Sequence, residues 1–314
     1  MELDPDVIFI GEDHRAGNGS ITGAGNIGYP KLLEDIYAAY PFSCLFFEID
    51  GNQKPVVRTI ENIIKAIVSQ DHISAQEAAK KVTYSQVSAF HPIETSDKWS
   101  ETDVQRTAEV MGFIVGKNSI AWSLSDDYSR TNKTLDYHDF QRRNQLIANH
   151  IGSTIRMPRS KCSKSVSLNG FSHLSGYAET NRTNNTYTLE LARPIQSILN
   201  ANYGVKSASI LLSDGSEWST SKLEIPSSLR ANDWIIHPNF DLPLTVSEKD
   251  VDIEFYRDAF DNSKDLPIAT ITRIGYRTPI TPDPDHRASA QYNIDSQAVM
   301  QGNIRSFDAV LYVK

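Results

Sequence analysis

Cysteine is nearly absent from this chain. Cys44 inside an apolar run and Cys162 in a Ser/Lys segment are the two in 314 residues, which makes no disulfide framework and is too few for a thiolate zinc site. Long apolar runs are missing too: nothing approaches the roughly 18 apolar residues of a membrane-spanning helix, so no membrane span is expected. Basic charge is in deficit. Thirty-one Lys and Arg face 39 Asp and Glu, a formal charge of -8, the wrong sign for a protein held by phosphate neutralisation, so nucleic acid is not an expected partner. Met1-Glu2-Leu3-Asp4-Pro5-Asp6 has neither a basic nor an apolar region, so no export signal is visible. The expectation is a cytoplasmic protein, or one moved by another route or a fused segment.

What is present reads as α/β. Val7-Ile8-Phe9-Ile10 is short, apolar and unalternating, as suits a strand buried on both faces of a parallel sheet, and it ends in Gly11-Glu12-Asp13-His14. Pro30 opens a helix carrying Leu32, Leu33, Ile36 and Tyr40 until Pro41 stops it, and Cys44-Leu45-Phe46-Phe47-Glu48-Ile49 is a second buried strand. Strand, helix and strand make a βαβ unit and imply a mainly parallel sheet flanked by helices. Residues 52–135, where Ile60, Ile63, Ile64 and Ile67 keep helical period, read as a mostly helical insertion. A helix over about 136–152 places Phe140, Arg143 or Asn144, Ile147 and Ile151 on one stripe. Ser165-Val166-Ser167-Leu168 is a strand ending in Gly170-Phe171-Ser172-His173; a helix over 189–203 and strands over 207–212 and 307–313 follow. The chain is expected to form a single domain, 1–314, with the insertion at 52–135 and an elaborated C-terminal part at 214–314.

In open α/β sheets ligands gather beyond the carboxyl ends of the strands. Three strands here end in titratable groups: Glu12 and His14, then Glu48, then His173. Two carboxylates and two imidazoles in one crevice suit water activation, with one histidine as general base, or the binding of a divalent metal. Spacing does not separate these mechanisms. The plainer alternative makes Glu12 and Glu48 strand-end carboxylates that cap helices or pair with arginines, and His173 an ordinary loop histidine. Arg143 is the candidate for supporting the site, since a guanidinium turned inward needs a carboxylate or carbonyl partner. If instead the helix is rotated, Asn144 faces in and Arg143 snorkels.

Val7 to His14, Leu45 to Glu48, Arg143-Asn144 on a helix, Gly170 to His173 and the closing run Phe307 to Val313 together resemble the erythromycin-esterase, ChaN and Tiki superfamily. Within it the chain is most similar to the Ras-and-Rap-specific endopeptidase domains of bacterial toxins. The resemblance implies an α/β fold and a catalytic set of Glu12, His14, Glu48 and His173 with one histidine as general base. It further implies hydrolysis of a peptide, protein or ester bond, a host protein being one such substrate, and delivery as an effector domain. No required cofactor is implied, although a divalent metal held by the same four residues, as in the Tiki branch, stays open. So does a ChaN-like protein that binds haem or a small molecule, which the lack of a lipobox cysteine at the N-terminus weakens. The family's helix often reads Arg-Asp where this chain has Arg143-Asn144.

Two further motifs are set aside. Gly23-Ala24-Gly25-Asn26-Ile27-Gly28 matches a dinucleotide fingerprint, but the strand that should lead into it ends near Ile10, so a flexible loop at the edge of the site is expected instead. Ser172 follows a strand as a nucleophile elbow would, yet Leu174 stands where such an elbow needs glycine.

Overall fold

The computed structural model of the chain describes residues 4–12, 29–90, 99–126, 137–170, 173–174, 178–183, 186–191, 194–213, 234–238 and 309–313. The apolar run at the start becomes β1 (Val7–Glu12), which stays extended two residues beyond Ile10. Helix α1 (Tyr29–Ala39) and strand β2 (Cys44–Asp50) complete the expected βαβ beginning. Four helices follow: α2 (Lys54–Asp71), α3 (Ala75–Ala79), α4 (Tyr84–Phe90) and α5 (Glu101–Lys117). Their ends are written locally. Pro55 stands in the first turn of α2, and the Ser74/Glu77 and Ser100/Asp103 pairs form capping boxes at α3 and α5. Then come β3 (Ala121–Asp126), α6 (Tyr137–Arg156), β4 (Ser165–Gly170), the hairpin β5 (Ala178–Thr183) and β6 (Thr186–Leu191), α7 (Ile195–Tyr203), and strands β7 (Ser207–Ser213), β8 (Trp234–Pro238) and β9 (Ala309–Val313).

Seven strands form one sheet in the order β3-β2-β4-β1-β7-β9-β8; every neighbouring pair is parallel except β8 against β9. The fold class is α/β, as the strand and helix patterns predict. Alternation along the strands divides the core. Ile10, Leu45, Phe47, Val166 and Leu168 pack with α1 to α5 on one face, whereas Val7, Phe9, Cys44 and Phe46 pack with α6 and α7 on the other.

Three expectations are corrected. The helical insertion does not run to 135: it ends with α5, and Ala121–Asp126 is the edge strand, parallel to β2. Leu124 is buried in the helical core and Trp122 packs partly buried against it, an apolar alternation with Ser123 and Ser125 that a helical reading of the segment passes over. The expected helix over 189–203 begins only at Ile195, because Pro194 is its N-cap and the preceding Thr186–Leu191, alternating Tyr187, Leu189 and Leu191 with polar residues, pairs with β5. It closes on Gly204 at φ +59, a backbone conformation that side chains rarely adopt. Cys44 and Cys162 are not separate thiols: they form a disulfide, with Cα atoms 5.1 Å apart. Among the described residues no helix is long and apolar enough to cross a membrane.

Candidate functional site

Strand order puts the expected residues side by side. β4 lies between β2 and β1, so the carboxyl ends that carry Glu48, Gly170 and Glu12 are neighbours, and Glu12 is in register with Gly170. Alternation then decides which layer Glu48 enters. Cys44 and Phe46 face α6, so Glu48, two residues farther along, does too.

Both Arg143 and Asn144 turn inward from α6, with Arg143 6% and Asn144 0% exposed. The sequence poses them as alternatives. They are joint contacts, because neighbouring helical residues are about 100° apart and the site lies between them. Glu48 accepts hydrogen bonds from the Gly170 N–H to Oε2 at 2.6 Å and from Arg143 Nη2 to Oε1 at 3.1 Å, and His173 Nε2 lies 2.9 Å from Oε1. On the other side of the ring, His173 Nδ1 lies 2.5 Å from Asn144 Oδ1. The side chains of His173 and Glu48 are 4% and 5% exposed, so water does little to screen these contacts. The pairing of Glu48 with an arginine, offered as the plainer alternative, is therefore realised within the same cluster that holds His173.

Glu48 and His173 are thus brought together. Glu12 closes β1, and its side chain lies outside the described residues, as do His14, the glycine run at 23–28 and Ser172. Sequence reasoning missed the Gly170 N–H and Asn169. Asn169, fully buried at the end of β4, accepts from Ser167 Oγ at 2.6 Å, and its Nδ2 has no hydrogen-bond partner among the described residues. A polar residue at every second position of Ser165, Ser167 and Asn169 was the available signal. His150 is half-buried on α6, its Nε2 2.7 Å from Ser123 Oγ and its ring edge-on to Phe46, a satisfied position.

Of the four residues considered as metal ligands, the described Glu48 and His173 are already engaged by protein groups. Both ring nitrogens of His173 are engaged by protein groups, and a guanidinium already sits on Glu48. Among the described residues, no group of three or more His, Cys, Asp or Glu is placed to hold a metal ion.

No protein-family model matches the chain, and no curated protein matches it. Among solved structures, the type III effector HopBA1 aligns at a TM-score of 0.35 and 12% identity over 65% of this chain and 76% of that one, too slight a likeness to carry fold or function across.

Proposed function

We propose that the chain is a hydrolase that cleaves a peptide, protein or ester bond with water activated by Glu12, His14, Glu48 and His173, acting as an effector-type enzyme on a host protein. The observation that carries the reading is the buried contact of His173 Nε2 with Glu48 Oε1 at 2.9 Å, at the carboxyl edge of the parallel strands and beside the end of β1.

Within this reading the roles divide. Glu48 spends both oxygens on protein donors, so it anchors and orients rather than takes a proton. His173, in polar contact at both nitrogens, is held beside the Arg143 cation. Proton acceptance then falls to His14, two residues beyond Glu12. In this scheme His14 takes the proton of a water as its oxygen adds to the substrate carbonyl carbon. The developing oxyanion is stabilised by N–H donors, and the proton passes to the leaving nitrogen or oxygen as the bond breaks. No step is routed through a metal.

The test is a cleavage screen of peptide and ester libraries with the wild-type chain and with His14→Ala, His173→Ala and Glu48→Gln. Turnover by the wild type that falls by about 10²-fold or more in each variant is expected. Variants as active as the wild type, or no turnover with either library, would overturn the reading.

A further inference from the structure

We propose that the side-chain amide of Asn169 is the donor that receives the substrate's carbonyl oxygen, through Nδ2, as that oxygen gains charge; its catalytic meaning rests on the hydrolytic reading of the site. Val166 and Leu168 pack with α1 to α5, so Asn169, like Ser165 and Ser167, faces the α6 layer that Glu48 enters. Its Oδ1 accepts from Ser167 Oγ at 2.6 Å, two residues back along β4. An amide held by Oδ1 in that direction turns Nδ2 away from Ser167.

Among the described residues, nothing on the neighbouring strands meets that donor. On β2, Glu48 takes the Gly170 N–H and Arg143, and on β1 the residue in register with Asn169 is Gly11, which has no side chain. Asn169 is 0% exposed, and its Nδ2 has no hydrogen-bond partner among the described residues. An enclosed N–H without an acceptor costs a fold stability and is rare. This one stands where the parallel strands end, the place at which open α/β sheets take ligands, and an oxygen brought in by a ligand satisfies it. The backbone donor beside it, the Gly170 N–H, is already committed to Glu48. An amide N–H carries no full charge and gives up no proton, so its part is electrostatic: it binds an oxyanion more strongly than a carbonyl and thereby favours the tetrahedral adduct. Ser167 fixes the amide beforehand, so little reorganisation is needed as the charge develops.

The experiment is a ¹H–¹⁵N titration of the isotope-labelled full chain with a library of peptide phosphonates, whose anionic oxygens copy the tetrahedral adduct. The Asn169 side-chain signals are assigned from its own backbone. Binding should move the Nδ2–H signals downfield as they gain an acceptor, and Asn169→Leu should bind the same phosphonate at least about 10-fold more weakly. On a substrate cleaved in the screen, Asn169→Leu should lower kcat by about 10²-fold or more with KM little changed, as a donor used mainly in the transition state requires. That variant leaves Ser167 without its acceptor, so Ser167→Ala with Asn169→Leu is the companion that removes both polar groups; if neither folds, the wild-type titration still decides. A library in which no phosphonate binds, one that binds without moving the Asn169 signals, or a folded variant with wild-type kcat would each overturn the proposal. Phosphonate binding that moves those signals, with no turnover in the screen, counts against the hydrolytic reading and leaves the donor standing. Turnover with unmoved signals counts against Asn169 and leaves hydrolysis standing.

Discussion

Glu48 and Glu61 are both held by cations, but in settings that give the pairing different consequences. Glu48 is enclosed with Arg143 and His173. Glu61, on α2, accepts from Arg58 Nη1 and Lys65 Nζ at 2.7 Å each and from Trp122 Nε1 at 3.1 Å. Burial pushes the Glu61 carboxyl up, and the hydrogen bonds from Lys65, Arg58 and Trp122 together outweigh it, leaving the group below the usual carboxylate range. A carboxyl whose pKa is lower folded than unfolded contributes stability that is fully present above the unfolded value and lost as pH falls through the folded one. Glu61→Gln should therefore cost about 1 kcal/mol at neutral pH, a modest figure because both cations are half exposed. The gap from wild type should close as pH falls below the ordinary carboxylate range. Urea unfolding of both proteins down the acid limb measures this, and a gap independent of pH would show that Glu61 does not act through its charge.

The packing of α6 against α7 depends on a missing side chain. A Cβ on Gly152 would lie 2.4 Å from the Tyr203 ring, so the glycine lets the two helices approach and lets Tyr203 Oη donate to Asn149 Oδ1 at 3.1 Å. Gly152→Ala should destabilise by about 1–3 kcal/mol through overpacking, despite alanine's better helix propensity. Combined with Tyr203→Ala, which removes the obstructing ring, it should cost much less, and a double-mutant cycle on thermal or urea unfolding reads the difference. Additive costs would mean that the ring is not what the alanine meets. Because α6 also carries Arg143 and Asn144, a shift of this helix should weaken the His173 contacts as well.

Cys44 at the start of β2 and Cys162 in the segment before β4 tie together two neighbouring strands of the sheet, across a sequence separation of 118. Closing a loop of that length removes entropy from the unfolded chain worth about 5 kcal/mol in the loop-closure model, an upper figure for the native gain. Reduction, or Cys44→Ala with Cys162→Ala, should lower the unfolding midpoint by several degrees while leaving the contacts of Glu48 in place, since the bridge lies at the opposite end of β2. Thermal unfolding with and without a reducing agent is the measurement. An unchanged midpoint would place the two sulfurs as ordinary buried thiols in solution.

Local pattern was enough for much of this. Apolar runs with β-branched and aromatic residues mark β1, β2 and β4, prolines and capping pairs mark helix ends, and the polar residues that end those strands single out Glu48 and His173. These features depend on neighbours within a few positions, which periodicity records. Strand neighbours do not depend on such neighbours. That β4 enters between β2 and β1, that Ala121–Asp126 pairs at the edge rather than joining the helices, that Arg143 and Asn144 both face inward, and that Cys44 meets Cys162 all follow from long-range pairing. Contacts of this kind are selected by the burial and hydrogen bonding of the assembled sheet, and residues a hundred positions apart leave no mark on each other's local sequence.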